Sequence, residues 1–198
     1  NLLFADPEAS EEELWNALAE CNIDGFFKEE NGLDTLLTEN AGNLSGGGRN
    51  AGALLDKYPS AHVTAIDYSE VSVGKATTYN AEAIKNGRCK VHQGDVSALT
   101  LTKEKYDLAT AFETIYFWPG LEKCFSQVAG VLKPGGVFMI VNESDGHDET
   151  SLKFEKIIEG MKCHTIEEIE KALIAAGFSK VKSDHHKSRP WITVIAKK

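Results

Sequence analysis

Apolar residues along this chain fall at helical spacing in some stretches and in short continuous runs in others, and the switch between the two marks its elements. Leu14, Trp15, Leu18 and Cys21 recur at helical spacing behind Ser10 and Glu13, a capping-box pair, so residues 1–32 read as a helical leader. Leu33–Thr38 reads as a first strand, though a polar one. Ala51, Leu54 and Leu55 form the stripe of a helix over Arg49–Lys57, and His62–Ile66 follows as a strand. Ser69 caps a helix expected to run to about Asn86. Cys89–Gln93 and Tyr106–Phe112 read as strands and Leu121–Leu132 as a helix. The turn Lys133-Pro134-Gly135-Gly136 leads into Val137–Val141, a run of the fully buried type. Asn142–Thr150 reads as a polar loop. Thr165 and Glu168 form a second capping box, opening a helix that runs to Ala176 and stops at Gly177. Lys180–Asp184 and Trp191–Ala196 close the chain as two strands joined by a basic turn.

Strands alternating with helices predict an α/β fold, a mostly parallel sheet covered on both faces. The final strand pair has no helix between its members, which predicts an antiparallel edge. No repeat, low-complexity tract or linker divides the sequence, so residues 1–198 read as a single domain, the leader 1–32 followed by a core 33–198.

The net charge of −9 argues against a nucleic-acid partner, which needs a basic face for phosphates. No run approaches the roughly 18 apolar residues of a membrane span. The chain starts at Asn1 rather than Met, and no signal peptide is visible. Cys21, Cys89, Cys124 and Cys163 are scattered without a C-x-x-C pair, which fits free thiols and a cytoplasmic location. His185–His186 invites a metal, but no third ligand stands beside the pair, and no metal is expected.

The chemistry concentrates between Ser45 and Asp67: a glycine turn at Gly46, Gly47 and Gly48, one helix, then a strand ending on an acid. Glycines let the backbone turn sharply and approach a ligand. An acid roughly twenty residues on suits the ribose hydroxyls of a nucleotide-type cofactor. In an open parallel sheet, ligands bind beyond the carboxyl ends of the strands. Polar residues stand at four such ends: Asp67, Gly94-Asp95, Glu113-Thr114 and Asn142-Glu143.

The segments SGGGRNAGALL, VTAIDYS, QGDVSAL, YDLATAFETIYFWP and LKPGGVFMIVNE, in that order and spacing, resemble a class I S-adenosylmethionine-dependent methyltransferase of the small-molecule type. HTIEEIEKALIAAGFSKV and PWITVIAKK resemble the last helix and strand pair of that fold. The resemblance implies a Rossmann-like, doubly wound, seven-stranded and mostly parallel sheet with an antiparallel C-terminal strand. It implies S-adenosylmethionine as cofactor and a small molecule as methyl acceptor. Gly46 and Gly48 would lie under the cofactor, Asp67 would take its ribose hydroxyls, and Tyr68 would pack on the adenine. Asp95 and Val96 would bind the adenine edge. Phe112 and Glu113 would face the methionine portion, with Glu113 as the candidate catalytic base and His164 behind it. Tyr116, Phe117 and Trp118 would wall the substrate side, and the leader with Ser144–Lys162 would select the acceptor.

One departure from the family pattern stands out. The loop normally reads acid-x-Gly-x-Gly-x-Gly, whereas Leu44 stands at the first glycine and Gly42 at the acid. Two other functions therefore stay in view. One is a binding protein on a methyltransferase scaffold that holds the cofactor weakly or not at all. The other is a nicotinamide-dependent dehydrogenase, though no G-x-G-x-x-G is present.

Overall fold

The computed structural model describes residues 48–198. Packing divides the chain into two compact units, Asn1–Leu44 and Ser45–Lys198, and the described residues belong to the second. The expected leader, the expected first strand at Leu33–Thr38 and Gly46 lie outside the described residues.

Two groups of strands make up the described unit. β1 (Val63–Asp67) pairs in parallel with β2 (Cys89–Gln93), Val63 opposite Cys89 and Asp67 opposite Gln93. The second sheet has the order β3-β4-β6-β5, from β3 (Tyr106–Phe112), β4 (Leu132–Asn142), β5 (Lys180–His185) and β6 (Ile192–Lys197). β3 and β4 run parallel, while β6 runs antiparallel to both β4 and β5. The last strand is thus inserted antiparallel, as expected. Six strands are described, in two sheets that share no backbone ladder. The Tyr106 hydroxyl donates to Thr64 Oγ1 at 3.1 Å, linking the starts of β3 and β1.

The core lies on one face of the larger sheet. In β4, Phe138, Ile140 and Asn142 alternate inward, and β6 adds Ile192, Val194 and Ala196. α4 (Leu121–Val131) covers this face with Leu121, Phe125 and Val128, spaced to form one helical stripe. α6 (Ile166–Ala175) adds Ile169 and Leu173. The rings of Phe125 and Phe138 meet edge to face at 5.5 Å, and Trp118 stacks on Phe138 at 6.2 Å.

Most element boundaries follow the sequence pattern. Ser69 caps α2 (Glu70–Tyr79) by accepting from the Ser72 N–H, but the expected single helix breaks at Asn80. Asn80 turns its side-chain amide back to the carbonyls of Ala76 and Gly48, and the short α3 (Ala81–Lys85) follows. Lys133–Gly136 does not precede β4 but bulges within it. Tyr106 faces Leu132, while Leu108, two residues on, faces Val137. The second capping box forms as predicted: Thr165 accepts from the Glu168 N–H, and the Glu168 carboxylate accepts from the Thr165 N–H. α5 (Glu149–Ile157) occupies part of what reads as loop; Asp148 caps it by accepting from the Ser151 N–H. Arg88 ties α1 (Arg49–Lys57) to the start of β2 by donating to the carbonyls of Leu55 and Tyr58. Those carbonyls lie at a helix C-terminus, where a cation is favoured.

Gly48 precedes α1 with φ of +87°, and a Cβ there would meet the Ala76 Cα and the Asn80 amide, each at 2.7 Å. The glycine lets α1 pack directly on α2. Gly74, inside α2, has open space around its Cβ position. Gly48→Ala should therefore cost on the order of 2–4 kcal/mol, from backbone strain plus overpacking. Gly74→Ala should stabilise by roughly 0.5–1 kcal/mol. Urea unfolding of both variants checks the opposite signs.

Candidate active site

The carboxyl ends of the parallel strands lie side by side within each pair, β1 with β2 and β3 with β4. β1 ends on Asp67 and β2 leads into Gly94-Asp95, where the Gly94 N–H donates to the Asp67 carbonyl at 3.0 Å. Asp95 caps the short turn Val96–Ala98 by accepting from the Ser97 N–H at 2.7 Å. That turn packs against α4, with Val96 against the core of the larger sheet. The turn after β2 is therefore seated on α4 and the core of the larger sheet.

At the first two ends stand two acids and an aromatic ring. Asp67 is half-buried, and its Oδ1 accepts from the Ser69 N–H at 2.9 Å. Burial raises its pKa above the usual carboxylate value, partly offset by the Ser69 N–H. The backbone N–H and hydroxyl of Ser97 hold the exposed Asp95 carboxyl below that value. The Tyr68 ring is 76% exposed, an unusual setting for a large aromatic side chain. Its carbonyl accepts from the Gln93 side-chain amide, fixing the backbone between the two strand ends.

Glu113 follows β3 and organises the other pair of ends. Its backbone is left-handed, with φ of +55°, a conformation that costs a non-glycine residue of order 1–3 kcal/mol. The Glu143 N–H, just past β4, donates to Glu113 Oε1 at 2.5 Å. The Tyr116 hydroxyl donates to Glu113 Oε2 at 3.2 Å and accepts from the Ser144 N–H at 3.2 Å. Glu113 is open to solvent as a residue, yet protein crowds its carboxyl group. Loss of water around the carboxylate raises its pKa to about 7. The Glu143 N–H opposes this rise, and the nearby Glu143 carboxylate adds to it. Tyr116 is buried, and burial together with the Glu113 charge pushes its hydroxyl pKa up, so it stays a hydrogen-bond donor.

Phe112 sits half-buried at the end of β3 opposite Val141. Trp118 belongs partly to the core, through Phe125 and Phe138. With Tyr116 it also lines a cavity of roughly 320 Å³ that reaches Lys162, His164 and Glu168. Phe117 is more exposed than either. His185 is engaged by Asp145, with Nε2 and Oδ2 at 2.9 Å, and His186 packs against Trp191. Cys89, Cys124 and Cys163 are buried free thiols. Among the described residues no helix is long and apolar enough to cross a membrane.

Residues 44–136 match the family model of the methyltransferase domain. That stretch, just under half of the chain, resembles a methyltransferase domain. The chain is 31% identical over 103 residues to a sterol 24-C-methyltransferase of Gibberella zeae, a match covering 51% of this chain and 27% of that one. The matched segment thus spans about a quarter of that relative's length. The fold is that of a chain in the Haloferax volcanii complex between the Trm112 methyltransferase activator and a methyltransferase. There the TM-score is 0.70 at 17% identity, over 77% of this chain and 79% of that one. An S-adenosylmethionine-dependent methyltransferase from Mesorhizobium loti superposes with a TM-score of 0.63 at 16% identity, over 77% and 88% of the two chains.

Sequence reasoning missed Tyr116 as the donor that braces Glu113. The spacing Glu113-x-x-Tyr116 was the available signal, because a turn after a strand brings such residues together. Burial that disfavours the Glu113 carboxylate has a definite sign. The raised folded pKa leaves the protein unpenalised below pH 4.5, and the penalty grows to its full size above about pH 7. Glu113→Gln should therefore stabilise the protein at pH 8 relative to pH 5. After allowance for solvent screening, the difference should be about 1 kcal/mol. Thermal unfolding at the two pH values measures it.

Proposed function

We propose that the protein transfers a methyl group from S-adenosylmethionine to a small-molecule acceptor, at the crevice where β1–β4 end. One observation carries this reading: within a stretch that resembles a methyltransferase domain, a bracket of polar groups stands at the strand ends around an exposed aromatic ring. The groups fit the cofactor chemically. Asp67 and Asp95 are acceptors, each held by a backbone N–H, and suit the ribose hydroxyls and the adenine amino group. Tyr68 offers a face for the purine, and Val96 a backbone contact beside Asp95. In the sequence, Gly46 and Gly48 belong to the glycine run that the family pattern would set beneath the cofactor; at Gly48 the tight approach is toward α2. Phe112 flanks the methionine side.

The cofactor supplies a methyl carbon on a positively charged sulfur. The acceptor's lone pair takes this carbon while the S–C electrons return to sulfur. The chain's own part is alignment, exclusion of water and handling of the acceptor's proton. Glu113, with its pKa raised to about 7, is suited to take such a proton near neutral pH. Its two hydrogen bonds and strained backbone hold it in place. Tyr116 and Trp118 wall the acceptor side.

The relatives that the chain matches over half its length are named for sterol methylation. They support a small-molecule acceptor rather than a nucleic acid, consistent with the net charge of −9. A second reading, a scaffold that binds the cofactor weakly, is favoured by Leu44 at the first glycine position of the loop.

Incubation with methyl-labelled S-adenosylmethionine and a panel of small-molecule acceptors tests the proposal. Label should pass to an acceptor, and Asp67→Ala should raise the cofactor KM at least tenfold with a smaller change in kcat. Absence of transfer to every acceptor, together with cofactor affinity indifferent to Asp67→Ala, would refute it.

A further inference from the structure

β5 ends beside the segment that holds Glu113. His185, the last residue of β5, places Nε2 2.9 Å from Asp145 Oδ2 and Nδ1 2.8 Å from the His186 carbonyl oxygen. A carboxylate and a carbonyl oxygen only accept hydrogen bonds, so both ring nitrogens donate. The doubly protonated imidazolium makes both bonds, and the neutral ring loses one of them.

Asp145 belongs to a closely bonded segment, residues 143–148, between β4 and α5. Its Oδ1 accepts from the N–H groups of His147 and Asp148. Ser144 Oγ accepts from the Gly146 N–H and donates to Asp148 Oδ2 at 2.9 Å. Gly146, with φ of +80°, lies against the backbone of His164 and Thr165, where a Cβ would come within 2.7 Å of the Thr165 nitrogen. A shift at one residue of this segment therefore carries its neighbours. Its first two residues reach the candidate site: the Glu143 N–H donates to Glu113 Oε1, and the Ser144 N–H to the Tyr116 hydroxyl.

We propose that His185 and Asp145 form a protonation-dependent latch: the imidazolium at the end of β5 holds residues 143–148 against Glu113 and Tyr116, and loss of its proton releases them. His185 is thus a positioning residue, acting on Glu113 through Asp145 and two backbone N–H groups. The latch stands apart from the methyl-transfer reading; only its consequence for proton transfer at Glu113 rests on that reading.

The charges around His185 favour the closed form. Asp145 faces it from the segment after β4, Asp184 precedes it on β5, and Ile192, opposite it on β6, carries no charge. On the turn that follows, His186 packs on Trp191, Lys187 is exposed, and Arg189 lies over the Trp191 ring at 4.6 Å and attracts Glu143. His147 acts on Glu167 of α6. The bond to Asp145, opposed by burial and aided by the His186 carbonyl and Asp184, raises the His185 pKa above the usual histidine value. Burial works to raise the Asp145 carboxyl, but His185 and the two N–H groups outweigh it and hold it low. The latch is therefore closed at and below the usual histidine value and opens as pH rises through the raised one. Glu113 works the other way, gaining charge and accepting more strongly as pH passes about 7. The His185 side chain is 46% exposed, and exposed pairs contribute little to global stability. The effect falls on local opening of the segment rather than on unfolding.

Amide hydrogen exchange of the full chain without cofactor, followed by NMR, tests the latch against His185→Ala. At pH 5.5 the Glu143 and Ser144 N–H groups should exchange roughly threefold or more slowly in the parent than in the variant. By pH 9 the two proteins should exchange alike. Glu113 titrates in both, so the ratio isolates the latch. His185→Lys, charged across this range, should keep the slow exchange at pH 9. The His185 ring should titrate above the usual histidine value, and Asp145→Asn should bring it back. Protection of the β4–β6 ladder shows that each variant is folded. A ratio near one at pH 5.5, a ratio that stays the same at pH 9, or an ordinary His185 titration in the parent overturns the inference.

Discussion

One hydrogen bond sets the geometry of the site: the Glu143 N–H, beyond β4, reaches the carboxylate of Glu113, beyond β3, at 2.5 Å. It fixes where the first polar residue after each strand lies relative to the other. Tyr116 completes the arrangement by bridging the Ser144 N–H and the same carboxylate. These bonds compensate for a backbone conformation that a glutamate adopts at a cost. They also hold an acid where burial weakens it, so its pKa lies near neutrality. Strain and an unfavourable charge at one residue are characteristic of a site shaped for chemistry rather than for stability.

The rest of the unit supplies rigidity. Phe125, Phe138 and Trp118 interlock behind the site, and β6, beside β4 in the same sheet, extends the core face with Ile192, Val194 and Ala196. α4 and α6 are thereby held in register, and the segment between α5 and α6 is tied to Tyr116 by its Lys162 N–H. Tyr116 touches both the strand-end acid and the segment bearing His164. It is the mechanical link between the crevice and the neighbouring cavity.

Much of this was legible in the sequence because local patterns and tertiary packing agree. The strand at Tyr106–Phe112, the helix from Leu121 and the capping box at Thr165 form as their periodicity and cap residues require. The antiparallel final strand came from family resemblance combined with the missing crossover helix. Three features were hidden. The helix break at Asn80 depends on a side chain that returns to Gly48, a contact across 32 positions. Helix α5 has mostly polar faces, and its residues are at most half-buried, so no stripe announces it. The bulge in β4 depends on how Pro134 and Gly135 meet the end of the chain, where the Gly135 N–H donates to the Lys198 carbonyl. At the site, the acids at strand ends could be found from position alone. The burial that raises the pKa of Glu113 depends on side chains meeting in space.

The central claim is that this domain holds S-adenosylmethionine despite its altered glycine loop. Calorimetric titration of the full chain with S-adenosylhomocysteine, the product that needs no acceptor, tests it most directly. The account predicts one site per chain with micromolar affinity. A folded protein that releases no heat and shows no saturation at millimolar ligand would contradict it.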